Sequence, residues 1–210
     1  MRKMASCIVL AAVIGLAGLV SADGGMGSTF GCLTTASSLG QGRGNFGGGV
    51  GLADATSAFG TFSYGLSRYT DGRLHLGIYD ADFGTKVSFG ADFKWQFMSA
   101  GQGQGQPLDM GLGGLLEYID AGGGSVLEVG AQIIGSHPYA ISGGSTLTPY
   151  GRLNIRVESA SASGHGSHSD LRFGLNGGVA WEATKTITLF GEVQFDGNDG
   201  LFLGVDFNVM

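Results

Sequence analysis

Ile187-Thr188-Leu189-Phe190-Gly191-Glu192-Val193-Gln194-Phe195, then Asp196-Gly197-Asn198-Asp199-Gly200, then Leu201-Phe202-Leu203-Gly204-Val205-Asp206-Phe207-Asn208-Val209 decides the fold. Ile187, Leu189, Val193 and Phe195 fall on one face of an extended chain, and Thr188, Glu192 and Gln194 fall on the other. The Asp/Gly/Asn run turns the chain. On the returning strand Leu201, Leu203, Val205, Phe207 and Val209 share a face, opposite Phe202, Gly204, Asp206 and Asn208. A period of two with one apolar face is the mark of a strand whose two sides meet different surroundings.

The same alternation recurs upstream. Leu171, Phe173, Leu175, Val179 and Trp181 oppose Arg172, Asn176 and Glu182, and Leu153, Ile155 and Val157 oppose Arg152, Asn154, Arg156 and Glu158. Val87, Phe89, Phe93, Trp95 and Phe97 oppose Lys86, Asp92, Lys94 and Gln96. About ten strands are expected, near 44–54, 57–67, 73–80, 84–98, 107–119, 124–136, 146–158, 169–182, 185–195 and 200–210, each close to the length a tilted strand needs to cross a bilayer. Eight strands is the alternative if 73–80 or the glycine-rich first segment is not a strand. The predicted fold is all-β, a closed antiparallel up-and-down transmembrane β-barrel. Closure follows because a sheet edge in hydrocarbon leaves unpaired backbone groups that cost several kcal/mol each.

Composition agrees. Glycine is 42 of 210 residues without a collagen period, and 43% of the chain is hydrophobic, which excludes a disordered polymer. Small residues let a tightly curved sheet pack and leave room inside for bulkier neighbours. Met1-Arg2-Lys3, the apolar run to Val20 and Val20-Ser21-Ala22 read as a signal peptide over residues 1–22, cleaved after Ala22. Its loss would remove Arg2 and Lys3, taking Lys and Arg from 11 to 9 against 17 Asp and Glu, and the net charge from -6 to -8. The remaining basic residues are scattered singly, so nucleic-acid binding is not expected. Cys7 leaves with the signal, so Cys32 has no disulfide partner.

Residues 44–210 are assigned to the barrel and 23–43, containing Phe30, Cys32 and Leu33, to a periplasmic N-terminal extension that plugs or lines the barrel mouth. An even strand count places both termini on the periplasmic side. Ser159–Ser169, with His165 and His168, is expected as the one long loop and a solvated tip. A mobile Ser/Gly loop holds neither a metal nor a nucleophile in place, so no metal, cofactor or catalytic residue is assigned. Gln102-Gly103-Gln104-Gly105-Gln106 and His137-Pro138 are expected to be turns.

Phe62-Ser63-Tyr64-Gly65-Leu66-Ser67, a turn through Asp71-Gly72 and Arg73-Leu74-His75-Leu76-Gly77-Ile78 resemble the strand-turn-strand of small Gram-negative outer-membrane barrel proteins. Trp181-Glu182-Ala183-Thr184-Lys185-Thr186-Ile187-Thr188-Leu189-Phe190-Gly191-Glu192 is similar to the penultimate hairpin of porin-like and opacity-type barrels. Such chains often end in Phe, whereas this one ends in Met210 with Phe207 three positions earlier. The resemblance implies the outer membrane as the location, with its lipid and the barrel-assembly machinery as partners, and a passive role in envelope structure, diffusion or adhesion.

Orientation then assigns the faces. Val87, Phe89, Phe93, Trp95 and Phe97, Leu171, Phe173, Leu175, Val179 and Trp181, Ile187, Leu189, Val193 and Phe195, and Leu201, Leu203, Val205, Phe207 and Val209 are expected to face lipid. The lumen receives Arg73, Lys86, Lys94, Arg152, Arg156 and Arg172 together with Asp92, Glu117, Glu128, Glu158, Glu182, Glu192 and Asp206. Glu128 is expected near Arg152 and Arg156, and Arg172 between their strand and that of Glu192. The lumen is either a structural charge network or a narrow ion-selective pore, and interiors of eight to ten strands are nearly filled by side chains, which favours the network. A lipid-modifying enzyme is a further alternative. A soluble β-sandwich or lipocalin-like barrel, the architectural alternative, would turn Leu201 through Val209 inward.

Overall fold

The computed structural model describes residues 26–81, 84–101, 106–120, 123–162 and 165–209. The expected signal peptide, the turn at 102–105, the connections at 82–83, 121–122 and 163–164, and Met210 lie outside the described residues.

Among the described residues eleven strands form: β1 (Gly44–Ala53), β2 (Thr56–Gly65), β3 (Thr70–Ala81), β4 (Gly84–Met98), β5 (Asp109–Asp120), β6 (Gly124–Ser136), β7 (Tyr139–Ala140), β8 (Thr146–Ala162), β9 (His165–Glu182), β10 (Ile187–Phe195) and β11 (Gly200–Asn208). Each wall strand pairs antiparallel with its neighbours, β1 with β11 and β6 with β8, so the sheet closes on itself. The two-residue β7 pairs only with β8 and stands outside the wall, which therefore has ten strands. The eight-strand alternative fails because both suspect segments are full strands, Gly44–Ala53 and Thr70–Ala81.

The expected long loop is also corrected. The ladder of β8 and β9 continues through Ser159↔Ser169, Ala160↔His168 and Ala162↔His165, so most of Ser159–Ser169 is a β-ribbon. Two-strand pairing satisfies the backbone there as well as water does, and the alternating Ser side chains extend it: Ser159 and Ser169 hydroxyls lie 2.8 Å apart, Ser125 and Ser161 3.1 Å.

Polarity is inverted relative to a soluble protein. Leu76, Phe173 and Leu74 are 64%, 62% and 60% exposed, and Phe207 is 47% exposed, which removes the lipocalin-like alternative. Glu128, Glu192, Asn176 and Gln194 are by contrast fully buried inside. Of the residues assigned to the outer face, Ile187, Phe195 and Val205 are half-buried by neighbours. Leu175 is buried outright, at 7% exposure, with Leu153 and Phe195 as cross-strand partners. It is a contact within the wall and not a lipid-facing one.

The N-terminal segment plugs the barrel, and more deeply than the mouth alone. Residues 26–42, hereafter the arm, run through the lumen from one mouth to the other. Met26 packs with Ala55, Tyr79, Ile119 and Val126 at the mouth holding the β1–β2, β3–β4 and β5–β6 turns. Gly42 donates to the Gly65 carbonyl at 2.9 Å at the opposite mouth, where β1 starts and β11 ends. The plug thus spans the lumen, and the chain's two described ends do not share a mouth, unlike the expected termini.

Candidate functional site

The lumen is built by side chains that clamp the arm's backbone. An extended chain in a tube has no ladder partner, so each buried N–H and C=O must find a side chain. Near the Met26 mouth Glu117 accepts from the Thr29 N–H at 2.9 Å, the Thr29 hydroxyl at 2.6 Å and the Ser28 hydroxyl at 2.9 Å. Ser57 donates to the Thr29 carbonyl at 2.7 Å, and Gln194 to that of Ser28 at 2.8 Å. Halfway along, Glu192 accepts from the N–H groups of Cys32 at 2.6 Å and Leu33 at 2.9 Å. It also accepts from Tyr150 and Asn176, each at 2.7 Å. Arg73 donates to the Cys32 carbonyl at 2.7 Å. Toward the other mouth Lys94 donates to the carbonyls of Thr35 and Ser37 at 2.6 and 2.7 Å, and Asp71 accepts from the Ser38 hydroxyl at 2.7 Å and the Leu39 N–H at 3.0 Å. Glu117, Glu192 and Asp71 take donors of the arm, and Arg73 and Lys94 take acceptors, in charge-assisted bonds, while neutral Ser57 and Gln194 serve the Thr29 and Ser28 carbonyls.

Apolar side chains of the arm complete the fit. Phe30, Cys32, Leu33 and Ala36 form one buried cluster with Phe59, Ile134, Tyr150, Phe190 and Phe202 from the wall. Inward glycines make the room. A Cβ at Gly90 would stand 2.9 Å from the Phe30 ring and one at Gly77 3.0 Å from it, while one at Gly204 would meet Leu33 at 2.8 Å. We therefore expect Gly90→Val to push Phe30 off its seat. Overpacking of this kind costs about 1–3 kcal/mol. The rate at which a water-soluble maleimide modifies buried Cys32 should rise about tenfold or more, since tenfold corresponds to about 1.4 kcal/mol. A rate equal to that of the unaltered protein would contradict the seating.

The expected charge network is present in part. Arg156 meets Glu128 at 3.1 Å and Asp196 at 3.2 Å, with both carboxylates buried, as the strand order predicts for Glu128. Arg156 also donates to the Asp196 carbonyl. Arg73 pairs with Asp92 at 2.7 Å, Lys94 with Asp71 at 3.4 Å and Arg152 with Asp196 at 3.7 Å. Burial pushes the Asp196 carboxyl above its ordinary value, and Arg156 and Arg152 pull it back. Glu158 takes the Met26 N–H at 3.2 Å, and Asp206 lines the small cavity beside Arg73.

Three assigned residues lie toward the strand ends. Arg172 is half-buried and pairs with Asp170 on its own strand at 3.2 Å. Glu182 is exposed at the rim, and Lys86 is half-exposed near the opposite one. All three are on inward register positions, but at strand ends the lumen opens to solvent.

Sequence reasoning missed Asp71, Asp109, Asp196 and His75. His75 accepts or donates toward Thr61 at 3.2 Å through Nδ1 and toward Asp92 at 2.8 Å through Nε2, an arrangement that would suit a nucleophile, base and acid. Phe30 stacks on the His75 ring at 5.0 Å, and the adjoining cavity is about 10 Å³, the size of one water molecule. Phe30 of the arm covers this group. Among the described residues no three His, Cys, Asp or Glu side chains are grouped to hold a metal.

No protein-family model and no curated protein matches the chain. Solved structures do. The N-terminal β-barrel domain of Pseudomonas aeruginosa OprF is similar at 15% identity and a TM-score of 0.37, over 81% of this chain and 99% of that one. A KdgM porin is similar at 8% identity and 0.40, over 79% and 99%. The β domain of the Bordetella autotransporter BrkA is similar at 13% identity and 0.43, over 80% and 98%. The closed barrel rests on its own strand pairing, and what the lumen does rests on its own residues.

Proposed function

We propose that the protein resides in the outer membrane as a sealed, non-enzymatic barrel with a structural or surface-interaction role. Membrane residence is supported by the outward band of Leu, Ile, Val and Phe, far larger than a soluble monomer leaves in water. Trp95, Trp181, Tyr64, Tyr69 and Tyr139 are all exposed toward the mouth where β1 begins, matching an interfacial aromatic girdle.

One observation carries the sealed character: the arm fills the lumen end to end, with Thr29, Cys32 and Ala36 at 0%, 1% and 0% exposure. Purified protein in planar bilayers is expected to show no conductance steps, and its folded form to run faster on a gel than the heated one. Reproducible steps from the unaltered protein would refute the seal, and heat-insensitive mobility the barrel.

A second reading, a small-solute or ion porin, is favoured by one feature. The β1–β11 seam is complete from Asn45↔Asn208 to Ala53↔Gly200 without any backbone contribution from the arm. The wall therefore stands whether or not the arm occupies it, and a pore follows if the arm leaves.

A further inference from the structure

We infer that the arm carries the polypeptide across the membrane inside the barrel, so that the chain meets one side of the membrane at Met26 and the other at Asn208. This rests on the membrane reading above. A barrel with an even number of strands returns its first and last strand ends to one side. Here that holds for the strands only: Val209 donates to the Gly44 carbonyl at 3.1 Å, joining β1 and the end of β11 at one mouth. From Gly44 the chain then passes backward through the lumen.

The contacts fix its direction step by step. Ser38 and Leu39 bind Asp71, beside the β2–β3 turn at the Asn208 mouth. Cys32 and Leu33 bind Glu192 at mid-strand. Asn198, in the β10–β11 turn at the other mouth, donates to the Ser28 carbonyl at 3.1 Å, and Met26 reaches Glu158 near the far end of β8. An extended segment gains about 3.3 Å per residue, so residues 26–42 reach well beyond the ~30 Å of a hydrocarbon core even with the bends at Gly27 and Gly31. The clamp is distributed along that whole length, which holds the crossing in one direction. The chain at Met26 thus opens on the side opposite the β9–β10 turn.

Three single-cysteine additions test this in cells expressing the full chain: Gly24→Cys just before the arm, Ser167→Cys on the exposed β8–β9 ribbon, and Lys185→Cys in the exposed β9–β10 turn. Each is treated with a maleimide-polyethylene glycol too large for porins, before and after permeabilisation; buried Cys32 supplies the unreactive background, and heat-modifiable mobility confirms that each variant is folded. The expected result is that Gly24→Cys follows Ser167→Cys and is opposite to Lys185→Cys. Gly24→Cys following Lys185→Cys would overturn the crossing while leaving the membrane reading intact. Identical behaviour of Ser167→Cys and Lys185→Cys would instead overturn the membrane reading and the crossing with it.

Discussion

Deleting residues 26–41 is expected to turn a silent barrel into a conducting one. The wall closes through its own ladder, so the deletion removes no strand pairing. It does remove Phe30, Cys32, Leu33 and Ala36 from the buried cluster, and it frees Glu117, Glu192, Arg73 and Lys94 from the backbone groups they clamp. Charged groups that lose their partners in a tube open at both ends draw in water, because hydration is the only remaining way to offset burial. The glycines that seat Phe30 and Leu33 then leave a passage that bulky residues would have filled.

Acidic side chains outnumber basic ones along the wall: Asp71, Asp92, Glu117, Glu128, Glu158, Glu192, Asp196 and Asp206 against Arg73, Lys94, Arg152 and Arg156. The open state should therefore prefer cations. In planar bilayers under a salt gradient, the shortened protein should give discrete steps with a reversal potential of the cation-selective sign. A folded, heat-modifiable deletion variant with no steps would show that the wall side chains collapse and seal the lumen by themselves.

The second large effect is expected at Arg156. Its guanidinium is 1% exposed and lies against two carboxylates that are themselves fully buried, Glu128 and Asp196. Removing one member of such a group leaves uncompensated buried charge, at a cost of about 3–5 kcal/mol. Arg156→Met should lose stability of that order in guanidinium unfolding followed by tryptophan fluorescence, to which the half-exposed Trp95 and Trp181 on the outer face are both well suited. Adding Glu128→Gln to Arg156→Met should recover part of the loss, because the double change removes a charge of each sign. An unfolding midpoint for Arg156→Met equal to that of the parent would mean that water already reaches the pair.

The strands were legible because lipid and lumen impose opposite demands on successive residues, and that demand is written locally. Leu74, Leu76 and Ile78 alternate with Arg73, His75 and Tyr79 within one strand, and no other part of the chain is needed to see it. The ends of strands were less legible: Ser159–Ser169 looked like a loop because Ser, Gly and His suit turns, yet two such segments of matching length also pair in register. Leu175 was misplaced because the alternation gives a side of the wall but not how closely neighbouring strands cover it.

The sequence by itself determined the all-β class, the outward apolar face and the inward placement of Glu128 beside Arg156, while the choice of ten strands over eight was left to the structure. Each follows from a repeat of two or from the order of neighbouring strands. Only the tertiary structure decided that the arm threads the lumen and that Glu117, Glu192, Arg73 and Lys94 serve its backbone as much as one another. The arm has no period of its own. Its contacts join positions as far apart as Cys32 and Glu192, and side chain to main chain, so nothing in the local order of residues records them.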